Sequence, residues 1–117
     1  MPWYRVLVET GGRIRQDEDS EWIGAFSTRN IQASFETEAR EIAEGLVDSE
    51  VIEYAVRFDE PPRSRARDAR ELESAAAPSA GFTFFDDADG SREAALRLET
   101  SVYESCLLYT SPSPRDA

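Results

Sequence analysis

The sequence predicts an α+β domain. The expected architecture is an antiparallel sheet of three to four strands in β-β-α-β-β order, with one main amphipathic helix packed on one face and an extra C-terminal helix. Three features predict it. Segments rich in aromatic and β-branched residues open the chain, a stripe at helical spacing runs from Phe35 to Leu46, and Val51 to Phe58 alternates apolar with polar residues. At 117 residues the chain is one small domain. It divides into a small α+β unit over 1–85, an acidic turn with a terminal helix over 86–105, and a tail over 106–117.

Each element has a local reason. Tyr4 to Glu9 carries Tyr4, Val6, Leu7 and Val8 and reads as a strand that Gly11 and Gly12 end. Arg13 to Glu21 is polar and reads as a loop or hairpin tip. Trp22 to Ala33 is the second strand, with Gly24 marking a bulge. Ser34 is a good N-cap, and Glu36 and Glu38 sit where the helix dipole favours acids. Phe35, Ala39, Ile42, Ala43 and Leu46 then recur at helical spacing, which places the helix at 35–48. Gly45 inside it costs about 1 kcal/mol relative to alanine. Ile52, Tyr54, Val56 and Phe58 share one face of the next strand, which is expected to meet Ile42 and Leu46 and to stop at Pro61 and Pro62. Ser64 to Ser74 fits either strand or helix, Ala75 to Ala80 is a small-residue linker, and Gly81 to Phe85 is a short apolar segment. Ser91 caps a last helix through Ala94, Ala95, Leu96 and Leu98.

Charge narrows the function classes. Thirteen basic residues, all arginine, face 24 acidic ones, for a net charge of -11. The pI is near 4.4 and the mean hydropathy is -0.54. A GC-rich genome and a solvated acidic surface account for the missing lysine. Direct binding to a phosphate backbone needs a clustered basic face. Here Arg63, Arg65, Arg67 and Arg70 are surrounded by Asp59, Glu60, Asp68, Glu71 and Glu73, so no direct nucleic-acid binding is expected. No apolar run approaches the ~20 residues of a spanning helix, and the start of the chain carries no secretory pattern. A cytoplasmic protein is the expectation.

Without histidine, Ser-His-Asp and Cys-His arrangements are impossible and the commonest transition-metal ligand is missing. No catalytic residue and no cofactor are expected. Asp86, Asp87, Asp89 and Gly90 have the look of a calcium loop, but aligned on the glycine the first and twelfth ligand positions are Phe85 and Leu96. A polar turn leading to a helix cap is the preferred reading. Glu36, Glu38, Glu41 and Glu44 read as a solvated helix face. Gly81 to Phe85 has the Gly-Phe-x-Phe centre of an RNA-recognition strand, yet Ala80 and Asp87 stand where a basic and an aromatic residue belong. Trp3, Trp22, Arg29, Phe82 and Phe84 are the candidate partner-binding residues. Arg29 is expected to pair internally with a carboxylate such as Glu53, or to bind an anion.

Several of these segments together resemble a group of small uncharacterised bacterial proteins. The resemblance runs over about residues 3–85. It rests on Trp3-Tyr4-Arg5-Val6, Gly24-Ala25-Phe26-Ser27-Thr28-Arg29, the Ala-rich helix Phe35 to Val47, Pro61-Pro62 and Gly81 to Phe85. It implies an extended segment over Ala66 to Leu72 and brings no activity. Separately, Cys106 to Asp116 (CLLYTSPSPRD) is similar to one reading frame of a transposase-type DNA-sequencing adapter. That similarity implies a metagenomic open reading frame, truncated where its genuine sequence stops near Ser105, and takes the single cysteine out of consideration.

The resulting expectation is an acidic binding or accessory module, not an enzyme, whose partner is a protein met through a sheet edge or aromatic patch. Two rivals stand beside it: an acidic nucleic-acid mimic that inhibits a basic nuclease or DNA-binding protein, and a divalent-cation-dependent enzyme built on Asp86, Asp87 and Asp89.

Overall fold

The computed structural model describes residues 1–16, 19–54, 58–74 and 81–110, with side chains at 1–12, 23–53, 63–74 and 81–104. Four strands, β1 (Trp3–Gln16), β2 (Asp19–Gln32), β3 (Phe58–Leu72) and β4 (Thr83–Asp86), form one antiparallel sheet in the order β3-β1-β2-β4. Helix α1 (Glu36–Val51) connects β2 to β3, and α2 (Ser91–Thr110) follows β4. Because β2 and β3 both run antiparallel to β1, α1 is the crossover of a split β-α-β unit. The α+β class holds.

The faces of β1 sort the core into two clusters. Tyr4, Val6 and Val8 point one way and meet Ile31, Ala33 and Ala66 of the sheet with Ala39, Ala43 and Val47 of α1. Leu7 points the other way and meets Phe26, Phe85, Ala95 and Tyr103. One helix therefore covers each face, where the sequence assigned one main helix to a single face.

Helix α1 differs from expectation in register and in its buried stripe. It starts one residue late: Phe35 holds the N-cap position without a side-chain bond, and Glu38 reaches back to accept the Ser34 N–H at 2.7 Å. It also ends late, at Val51, and continues into a 3₁₀ turn over Ile52–Tyr54. The expected strand Val51 to Phe58 is replaced by this helix end; residues 55–57 lie outside the described set. The buried ridge is Ala39, Ala43, Val47 and Val51, spaced four residues apart. Ile42 and Leu46 are exposed, as is Ile52. Small side chains let the helix axis come close to the sheet, and the larger ones one step round the helix are left outside.

The strands run longer than expected. β1 passes through Gly11 and Gly12 to Gln16, and β2 begins at Asp19, so most of the expected loop or hairpin tip at 13–21 is paired strand. Residues Ser64 to Leu72 are strand, and β3 runs through Pro61 and Pro62 instead of stopping there. An edge strand tolerates proline because its outer side needs no ladder donors, and the β1–β3 register shifts between Gly11 and Arg13 opposite the pair. Gly24 marks no bulge: its register with Gly11 is continuous. The Phe85 ring lies across it, and a Cβ there would come 2.3 Å from the ring.

Helix α2 sits on a polar seam. Glu99 accepts hydrogen bonds from the Thr28 hydroxyl at 2.6 Å and the Thr83 hydroxyl at 2.7 Å. Arg92 forks onto Glu9 with two bonds of 2.8 Å, and Arg67 approaches the same carboxylate at 3.5 Å. The Arg70 guanidinium lies over the Tyr103 ring at 4.8 Å and donates to its hydroxyl. These anchors all precede Cys106. At the start of α2 the Gly90 carbonyl accepts the first helical bond from Ala94, while Ser91, expected as the cap, accepts the Asp86 N–H with its hydroxyl.

Two glycines separate packing from propensity. Gly24→Ala is expected to destabilise by about 2–3 kcal/mol, because the new methyl drives into a buried ring. Gly45→Ala is expected to stabilise by about 0.5–1 kcal/mol, since a Cβ there meets nothing within 4 Å. Urea denaturation of both variants checks the opposite signs. Burial pushes the Tyr103 phenol above its usual 10.0, against the opposing hydrogen bond from Arg70. The unfolded chain then loses this proton first. The contribution of Tyr103 to stability is complete below pH 10.0 and falls as pH rises through the folded value. Tyr4 shifts the same way, chiefly through burial. Stability measured from pH 9 upward is therefore expected to fall less steeply in Tyr103→Phe, with a residual slope from Tyr4.

Candidate protein-binding face

On the α1 side of the sheet, three of the five sequence-predicted partner-binding residues come together. Arg29 projects from β2 toward α1, and its side chain is only 4% exposed. Its Nε donates to Ser27 Oγ at 2.8 Å and its Nη1 pairs with Glu50 at 2.9 Å. Ser27 Oγ in turn donates to the Gly81 carbonyl at 2.6 Å, which ties the entry to β4 onto β2. The guanidinium lies over the Phe82 ring at 5.3 Å, and Phe82 meets Phe84 at 5.6 Å between ring centroids. Phe82 packs on the α1-side core, while Phe84 is 44% exposed.

The expected internal partner of Arg29 is a carboxylate such as Glu53; the carboxylate it meets is Glu50 of the helix. Extension of α1 to Val51 puts position 50 on the sheet-facing flank and leaves Glu53 exposed in the 3₁₀ turn. Trp3 is half-buried at the start of β1, opposite Gln32 and Leu72, away from this group. The Trp22 side chain lies outside the described residues.

Glu50 is 39% exposed and joins the Arg29–Phe82–Phe84 row to the outer flank of α1. One turn before it is Leu46, at 41% exposure, and one turn before that is Ile42, at 40%. Phe35, at the helix start, is also exposed. At 100° per residue, positions 42 and 46 fall within one narrow stripe beside the buried ridge. Ile42 and Leu46 of α1 and Phe84 of β4 thus lie on one side of the sheet, linked through Glu50, Arg29 and Phe82.

The far flank of α1 is closed. Arg40 donates to the Ala66 carbonyl at 3.3 Å, and Glu44 accepts the Ala66 N–H at 2.7 Å. The two side chains cap the peptide groups of an edge-strand residue beside a bulge, and exposed Arg63, Arg65 and Arg67 line the same strand. Charges and bulges are the devices that keep an edge strand from pairing with strangers. So Glu44, read as part of a solvated acidic face, works inward.

Asp86, Asp87 and Asp89 form a turn. Asp86 Oδ1 accepts the Ala88 N–H at 2.9 Å, and among the described residues no group of three His, Cys, Asp or Glu is placed to hold a metal ion. No helix among them is long and apolar enough to cross a membrane.

Sequence reasoning missed Glu50, Ser27 and the outward stripe of α1. The four-residue spacing of Ala39, Ala43, Val47 and Val51 was the available signal. It competes with a second stripe of larger residues, and size alone favours the wrong one.

The Arg29–Glu50 pair is asymmetric, because one partner is buried and the other is half in water. Among the described residues Arg29 Nη2 has no hydrogen-bond partner, so Glu50 is the counter-charge of a desolvated cation. Glu50→Ala is expected to cost about 2 kcal/mol and Arg29→Met about 1 kcal/mol, since only the former strands a buried charge. Urea unfolding of both variants checks the order.

No family model, curated protein or solved structure matches this chain.

Proposed function

We propose that this chain is a protein-binding module and that the outer flank of α1, with Phe82 and Phe84 on the same side of the sheet, is its docking face. The observation that carries the reading is the exposure of Ile42 and Leu46 on α1 and of Phe84 on β4, at 40%, 41% and 44%, on the same side of the sheet and linked through Glu50, Arg29 and Phe82. Single exposed apolar residues are ordinary, whereas a contiguous set rimmed by charge marks an interaction surface. Arg29 and Phe82 act beneath this face as its rigid floor, not as free contacts. The pieces of the face are held by Ser27, Gly81 and Glu50, so a partner meets a preformed surface.

The mimic reading draws less support. Glu9, Glu44, Glu50 and Glu99 spend their carboxylates on internal partners, so part of the negative charge is not available to imitate phosphates.

Photo-crosslinking tests the proposal. A benzophenone side chain placed at position 46 or 84 is expected to give adducts of one discrete mass in host extract. Placed at exposed Glu73, at the far edge of the sheet, it is expected to give none. Equal adducts at all three positions, or none at any, would overturn the reading.

A further inference from the structure

We infer that the α1 flank receives a positively charged amphipathic helix of another protein, laid along α1 across Gly45. The inference rests on the docking face proposed above and adds the shape and charge of its occupant.

Shape comes first. Ile42 and Leu46 lie one turn apart on the outer flank of α1, roughly 6 Å along its axis, and exposed Phe35 stands at the helix start, so the flank suits a helix set alongside. Gly45 lies next to this flank and is exposed, and a Cβ at that position meets nothing within 4 Å. Among the described residues no contact explains a mid-helix glycine that costs about 1 kcal/mol. A second helix would explain it: without a side chain at 45, and with small Ser49 one turn on, a neighbouring backbone can come within the ~8 Å of close helix packing. Ile42 and Leu46 would then interdigitate with apolar residues of the partner.

Charge selects the partner. Helix α1 carries Glu36, Glu38, Glu41, Glu44, Asp48 and Glu50 against one base, Arg40. Arg40 turns away from the stripe, to Glu36 and the Ala66 carbonyl. Glu38, whose carboxylate also accepts the Ser34 N–H, lies between Ile42 and Gly45, and Glu41 lies beyond Gly45; neither has an ion-pair partner among the described residues. A second copy would bring the same acidic rim and another -11 charges against this one. A helix with lysine or arginine flanking its apolar stripe complements the rim and is drawn to it over a longer range.

The test uses the full chain and a fluorescein-labelled peptide of about five helical turns, with leucine on one face and lysine on the other. Anisotropy is expected to show saturable binding. The affinity should fall about tenfold in Ile42→Ser/Leu46→Ser and about tenfold in Glu38→Arg/Glu41→Arg. Circular dichroism controls for folding, and Gly45→Gln adds a variant that cannot fail by unfolding: its thermal midpoint should rise while its affinity falls. No binding of the lysine peptide overturns the inference, as does equal binding of a scrambled peptide of the same composition. A peptide with glutamate in place of lysine that binds equally well, indifferent to the arginine substitutions, overturns the partner's charge and leaves the docking face standing. Affinity unchanged in Ile42→Ser/Leu46→Ser overturns both.

Discussion

Five consecutive residues of β1, Tyr4 to Val8, are buried. Successive side chains of a strand point to opposite faces, so burying all five requires cover on both sides of the sheet. That constraint dictates the rest of the architecture. A sheet with one helix would leave either Val6 and Val8 or Leu7 in water. The chain meets the requirement with α1 on one face and α2 on the other, and β1, flanked by β2 and β3, becomes the strand around which both layers form.

The two layers are fastened by different chemistry. Under α1 the contacts are small and apolar: alanines and valines on a four-residue spacing, pressed against valine, isoleucine and alanine of the sheet. Under α2 an apolar patch of Leu7, Phe26 and Phe85 is flanked by Glu99 with its two threonine hydroxyls, the Arg92–Glu9 fork and the Arg70–Tyr103 stack. Apolar packing tolerates small slips, whereas these hydrogen bonds demand one geometry. The polar seam therefore fixes the register of α2, and the apolar ridge fixes how close α1 lies.

Close approach of α1 has a consequence for the surface. A helix seated on alanine presents only a narrow strip to the sheet, and the larger apolar residues one step away remain in solvent. One flank is sealed by Arg40 and Glu44 on Ala66. The other carries Ile42 and Leu46 and leads through Glu50 and Arg29 to the β4 aromatics. The buried Arg29 pair sits where helix, sheet and the entry to β4 converge, and it sets their relative positions.

Much of this was legible beforehand. The α+β class, the first two strands, the α1 segment and the internal pairing of Arg29 follow from residue type and periodicity, which are local properties. Three things were not local. Alternation at Val51 to Phe58 looked like a strand, but helix α1 continues through Val51 because its buried ridge ends there. Prolines looked like a stop, but at a sheet edge they break no needed ladder. Ile42 and Leu46 looked like core, but which stripe of a helix is buried depends on the size of what it packs against. The sequence by itself determined which segments are helix and strand where propensity and pattern agree. Only the tertiary structure decided which faces meet, because burial is a property of pairs of surfaces and a single stripe does not name its partner.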